Sequence, residues 1–305
     1  MSLNITEHEK NYYLNLREFA NGQFEAILKA VRPMKSELMD NAINGTTYAT
    51  ACAELGESSR PYKPGAASKV VSEKSDFDKQ QNLNRSVRRS KQNIRYLCKA
   101  LGADRLFTTS YRENQTDRDQ ARADFQKFLR LVRSGWRGQE GIPDWQYVAV
   151  LEKQARGAYH FHVAVKGFQR ISFLRECWHR ALGAKGLCHG ADSPGNVDVT
   201  NPDRARWGHT GRQWKSNKLV GYLTKYLSKT FDDSTENKRR FWHSRQIVLP
   251  VKQRFWIDGD NITQAIKNTV SVLQLHVGLK PSFHHWLSRL GDAYWISGDS
   301  DYVAV

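Results

Sequence analysis

Hydrophobic and polar positions divide the chain into a loosely patterned first third and a remainder in which short apolar strands alternate with amphipathic helices. In residues 1–40, two apolar-periodic runs, around Tyr12–Phe24 and Phe24–Leu38, predict short helices. Residues 41–80 are rich in Gly, Ser, Ala, Lys and Glu and contain Pro61 and Pro64, which predicts a linker or irregular arm. The basic segment NLNRSVRRSKQNIRYLCKALG then predicts a helix ending at Gly102.

From residue 104 the pattern sharpens. LFTTSYR (106–112) is β-branched and aromatic, as a strand requires. ARADFQKFLRLVRSGW (121–136) carries apolar residues at helical spacing. WQYVAVLE (145–152) and AYHFHVAVKG (158–167) read as strands joined by a short loop. ISFLRECWHRALG (171–183) is a helix, NVDVT (196–200) a strand, SNKLVGYLTKYLSKTF (216–231) a helix and RFWHSRQIVL (240–249) a strand. This β-α-β-β-α-β order is that of a ferredoxin-like antiparallel sheet, so an α+β class is expected. The corresponding division is a helical, basic region at 1–102, a core at 103–250, and a short extension at 251–305 with a helix near Ile262–Leu275.

Net charge adds a partner. A formal charge of +16 favours a polyanion, because bound phosphates release counterions. Trp, Tyr and Phe interleaved with Lys and Arg suit stacking on single strands. On the helix at 82–102, Arg85, Arg88, Arg89, Lys91 and Arg95 can grip phosphates or form a solvated face. No stretch approaches eighteen consecutive apolar residues, so no membrane span is expected. The polar N-terminus predicts no secretory signal, and hence residence in the cytoplasm where the chain is made. Cys52, Cys98, Cys177 and Cys188 form no CxxC pair and read as reduced thiols. Cys177, His179, Cys188 and His189 can be drawn as a zinc site, although their spacing fits no common pattern.

Candidate chemistry lies in two segments. In YHFHVAV, His160 and His162 alternate along a strand and so project to one side. With 153–157 as a five-residue loop, Glu152 pairs with Ala158 and Val150 with His160. Glu152 then lies diagonally next to His160 on the shared face. Imidazoles plus a carboxylate suit Mn²⁺ or Mg²⁺ and can take Co²⁺, Ni²⁺ or Zn²⁺. The second segment, GYLTKYLSKT, repeats YxxK: Tyr222 with Lys225, Tyr226 with Lys229. On a helix the two tyrosines fall about 40° apart beside a stripe of Leu219, Val220, Leu223 and Leu227. Lysines beside a phenol favour the phenolate and neutralise charge developing on a phosphate.

FTTSY (107–111), HFH (160–162) and YLTKYLSK (222–229), in this order, resemble the three motifs of the HUH endonucleases. They look most like those of the replication initiators of microviruses, filamentous phages and small rolling-circle plasmids. The resemblance spans roughly residues 104–250 and implies an HUH nickase core. It further implies that Glu152, His160 and His162 hold the divalent ion and that a tyrosine nicks single-stranded origin DNA. A 5′-phosphotyrosyl bond and a free 3′-OH for a polymerase result, and the second tyrosine serves the rejoining that closes a circle. Which tyrosine attacks first stays open, with the first YxxK pointing to Tyr222. DNA contacts are expected from Arg112, from Arg204, Arg206, Trp207, Arg212, Trp214 and Lys215 ahead of the nucleophile helix, and from Arg245. No GxxxxGK[ST] loop is present, so a host helicase is expected to unwind the duplex. The rival readings are an HUH transposase, a relaxase-like nickase, and a non-catalytic nucleic-acid-binding protein. Relaxases usually carry three histidines, and single-strand transposases often carry one tyrosine.

Overall fold

A computed structural model describes residues 12–31, 76–200, 216–229 and 239–300. Among these residues the chain is a mixed α/β protein with two five-stranded antiparallel sheets and five helices. They fall into two compact units. One holds 12–18, 24–31 and 252–300; the other holds 19–23 and the described parts of 76–251.

In the first unit, β1 (Tyr12–Glu18) and β2 (Gln23–Ala30) form a hairpin. This corrects the helical N-terminal extension expected from the sequence. Tyr12, Leu14 and Leu16 are buried and alternate with more exposed residues, a period of two rather than 3.6. The connection carries Asn21–Gly22, a strong hairpin signal, and Gly22 takes the left-handed φ of +75° that such turns demand. β8 (Gln253–Ile257) pairs with β1, and after helix α5 (Ile262–Val277) come β9 (Leu279–Leu287) and β10 (Ala293–Ser300). The strand order is β8-β1-β2-β10-β9. The residues expected as a C-terminal extension thus complete the sheet that the N-terminal hairpin begins. Ala265, Leu273 and Val277 of α5 pack on Leu14, Leu28 and Ile296 of that sheet.

The second unit contains α1 (Asp76–Leu101), β3 (Arg105–Tyr111), α2 (Arg118–Gly135), β4 (Tyr147–Lys153) and β5 (Tyr159–Val165). α3 (Ile171–Ala181), β6 (Gly195–Thr200), α4 (Ser216–Lys229) and β7 (Phe241–His243) follow. Its strands are ordered β6-β3-β5-β4-β7 and all pair antiparallel. The strand expected over 240–249 is confined to the three residues of β7.

Both faces of this sheet are covered, which is why β4 and β5 are buried almost throughout. α2 begins where the Asp117 carboxylate accepts the backbone N–H groups of Asp119 and Gln120. Its Ala121, Phe125, Phe128, Leu129 and Val132 recur at helical spacing and meet Phe107, Phe161 and Val163 of the sheet. Trp178 of α3 joins the same layer and donates its indole N–H to Ser110 O at 2.9 Å. Gly195 lies against that pair, where a Cβ would stand 2.4 Å from Ser110 O. On the opposite face, Ile94, Leu97, Cys98 and Leu101 of α1 and Leu219, Val220, Leu223 and Leu227 of α4 pack on Leu106, Val148, Val150 and Ala164. That second face carries the chemistry.

Candidate active site

The β4–β5 hairpin sets the site. Gln154 N–H bonds Ala158 O at 2.9 Å and Gly157 N–H bonds Gln154 O at 2.8 Å, with Gly157 at φ +87°. This tight turn carries pairing further than a five-residue loop would. Glu152 faces His160 and Val150 faces His162, two residues from the expected register. A slip of two preserves the face, whereas a slip of one would reverse it. Glu152, His160 and His162 therefore share the side covered by α1 and α4, and all three are buried.

The diagonal contact joins Glu152 to His162: Oε2 lies 2.7 Å from Nε2. At the other end of that ring, Thr108 Oγ1 stands 2.9 Å from Nδ1, across the β3–β5 pair. A hydroxyl both donates and accepts, so Thr108 can serve either neutral tautomer of His162. His160 Nδ1 is met by Gln154 Nε2 at 3.3 Å, and Arg156 Nε holds the Gln154 amide oxygen at 3.0 Å. His160 Nε2 is buried and has no hydrogen-bond partner among the described residues. Burial lowers the His160 pKa, the charges of His162 and Arg156 lower it further, and Glu152 acts in the opposite direction.

These features fit a divalent ion. Each imidazole has its Nδ1 engaged by a polar neighbour, the arrangement that orients metal-ligating histidines. The buried orphan nitrogen of His160 gains a partner if an ion binds. Among the described residues no group of three His, Cys, Asp or Glu side chains is already drawn together around an ion. Glu152 and His162 instead bond each other, and an ion would replace that hydrogen bond.

α4 brings its tyrosines to the same place. The Tyr226 ring stacks on His162 with centroids 3.6 Å apart and planes 13° from parallel. Tyr222 meets Tyr226 edge-on at 5.1 Å, and their hydroxyls share a hydrogen bond. Burial pushes the Tyr226 phenol well above its ordinary range, and Tyr222 and the Glu152 charge push the same way. The expected lowering by neighbouring lysines is not what governs Tyr226. Lys225 is exposed on the flank of α4, and the Lys229 side chain lies outside the described residues.

Most of the expected DNA contacts, Arg204, Arg206, Trp207, Arg212, Trp214 and Lys215, lie outside the described residues. Arg245 is exposed after β7. The Arg112 guanidinium donates to Gly190 O at 3.3 Å and to Ala191 O, bracing the turn before β6. The alternative zinc grouping does not assemble. His179 Nδ1 accepts the Cys188 N–H at 3.0 Å, so its proton sits on Nε2, beside Gly195 O at 3.0 Å. Burial also raises the Cys177 thiol to about 11. Thr108 and Gln154 are additions that the sequence pattern does not single out. Thr108 lies inside the FTTSY motif, but its role needs the β3–β5 register.

Residues 104–231 match a family model described as replication-associated protein, of the ORF2 type. The match fits a rolling-circle Rep-type protein. It covers β3 through α4, the segment that contributes Thr108, Glu152, His160, His162, Tyr222 and Tyr226. No curated protein and no solved structure matches the chain. A replication-associated role, with DNA as the partner, follows from the family match. No described helix is long and apolar enough to cross a membrane.

Proposed function

We propose that the protein is a replication initiator that nicks and rejoins single-stranded origin DNA through a tyrosine of α4. The observation that carries this reading is the stacking of Tyr226 on His162, itself bonded to Glu152. The candidate nucleophile and the candidate metal ligands meet at one point on one sheet face. The β-α-β-β-α-β order of β3 to β6 supports a ferredoxin-like HUH core. The family match over these elements supports replication rather than transposition or conjugative transfer.

Glu152, His160 and His162 would hold a divalent ion, Mg²⁺ or Mn²⁺ by the hardness of the carboxylate and the imidazoles. Bound there, it would polarise a phosphate oxygen and cancel the Glu152 charge that opposes the Tyr226 phenolate. Tyr226 Oη attacks the scissile phosphorus, forming a 5′-phosphotyrosyl bond while the bond to the 3′ oxygen breaks. The departing oxygen takes up a proton and becomes the 3′-OH that a polymerase extends. Tyr222, hydrogen-bonded to Tyr226, stands ready for the second cut, when the released 3′-OH attacks the first phosphotyrosine and frees that phenol. Lys225, on the exposed flank, offers an ammonium to the phosphate. Unwinding is left to a host helicase, and synthesis to a host polymerase in the bacterial cytoplasm.

His162→Ala tests the reading directly. Cleavage of single-stranded DNA is expected to vanish while single-strand binding persists. Cleavage retained by this variant contradicts the metal assignment, and binding without cleavage by the wild type favours the non-catalytic alternative.

A further inference from the structure

α1 has a half that the site does not use. Its core-facing stripe of Ile94, Leu97, Cys98 and Leu101 packs on the active face of the sheet, and the helix lies against α4. From Gln80 to Asn93, by contrast, no residue is buried. At 1.5 Å per residue this is roughly 20 Å of helix held only by its C-terminal half. Its intermediate positions, Leu83 and Val87, continue the stripe that faces the core.

Arg85, Arg88 and Arg89 lie on the other side, at the i, i+3, i+4 spacing that gathers side chains on one face. All three are exposed. Among the described residues none of them forms an ion pair, and the one side-chain partner within the helix is neutral: Arg85 donates to Gln81 at 2.6 Å. The acids of α1 are Asp76 and Asp78, at its far end. Three unneutralised guanidinium groups on one face repel each other, and a helix face keeps that cost only where a polyanion relieves it or solvent screens it.

We infer that the N-terminal half of α1 is an arm that grips the phosphate backbone of double-stranded DNA beside the nick site. Two features favour a duplex over a single strand. Single-strand grooves interleave cations with aromatic platforms for the bases, and between Gln80 and Asn93 this helix carries no aromatic residue. A duplex offers about one charge per 1.7 Å of axis with its bases stacked away, which suits a row of guanidiniums without stacking partners. The packing of α1 on α4 ties the arm to the helix that bears Tyr222 and Tyr226. Duplex binding itself does not depend on the proposed nicking reaction; only its use beside a nick does.

The test uses the full-length protein, a labelled 30-base-pair duplex and a labelled 30-nucleotide single strand, followed by fluorescence anisotropy across a salt series. The triple variant Arg85→Ala, Arg88→Ala, Arg89→Ala is expected to lose about tenfold or more in duplex affinity at low salt. Its log–log salt slope should fall by about 2–3, the contribution of three phosphate contacts. Single-strand affinity and adduct formation on a single-stranded oligonucleotide should stay within about twofold of wild type. The triple Lys variant, which keeps the charge, should retain most of the duplex affinity. Unchanged duplex binding, or equal loss on both substrates, overturns the assignment. If the wild type forms no covalent adduct while the duplex difference persists, the nicking reading fails and the arm stands.

Discussion

The Tyr226 hydroxyl is held in a state unfavourable to attack in the ion-free protein, buried and within reach of the Glu152 charge. What activates it must therefore arrive with the ion or the substrate. Two neighbours prepare the ion site without touching the reacting atoms. Thr108 orients His162 through Nδ1, and Gln154 does the same for His160. Replacing Thr108 by the near-isosteric Val removes one hydrogen bond and little volume. The expected result is a Kd for Mn²⁺ raised about 10–100-fold, the usual effect of losing such an outer partner, measured by calorimetric titration. An unchanged Kd removes Thr108 from this role. At this scale the sequence is legible where strand periodicity governs, since alternation alone puts His160, His162 and Glu152 on one face. The observed register differs by two, because the tight turn at Gly157 is decided by φ rather than by residue class. Thr108 and Gln154 are not legible, since their contacts depend on cross-strand pairing and side-chain rotamers.

The strands and helices from 104 to 231 follow their periodicity closely, because both faces of the sheet are buried and each helix needs one apolar stripe. The N-terminal hairpin departs from the helices that its apolar spacing predicts. The alternating Tyr12, Leu14 and Leu16 and the Asn21–Gly22 turn compete there with a spacing equally compatible with a helix. Support for the site also comes from behind. Phe161 lies between the two histidines in sequence and points to the opposite face. There it stacks on Phe125 of α2 with centroids 3.9 Å apart and planes 5° from parallel. Phe125→Ala is expected to destabilise the folded protein by about 3–5 kcal/mol, as for other buried aromatic truncations. Denaturant unfolding measures this, and a loss below about 1 kcal/mol would mean that the stack is not part of a close-packed core.

Over the whole molecule, function is concentrated in one unit. The family match, the metal candidates and both tyrosines fall within β3 to α4, while the other unit joins strands from the two ends of the described chain into its own sheet. No local pattern reveals such a sheet, because the strands of β1–β2 and β8–β10 are separated by the entire second unit. Charge is the global signal the sequence carries openly: +16 overall, with exposed arginines on the arm of α1. Everything proposed for this unit turns on whether α4 supplies the nucleophile beside a divalent-ion site. Incubation of the protein with a randomised single-stranded oligonucleotide pool, with and without Mn²⁺, followed by a denaturing gel for a covalent protein–DNA adduct, decides the question. A metal-dependent adduct is expected for the wild type, strongly reduced in Tyr226→Phe, partly retained in Tyr222→Phe and absent from the double variant. An adduct that forms without metal, or that survives in the double variant, would contradict the assignment of nucleophile and ion.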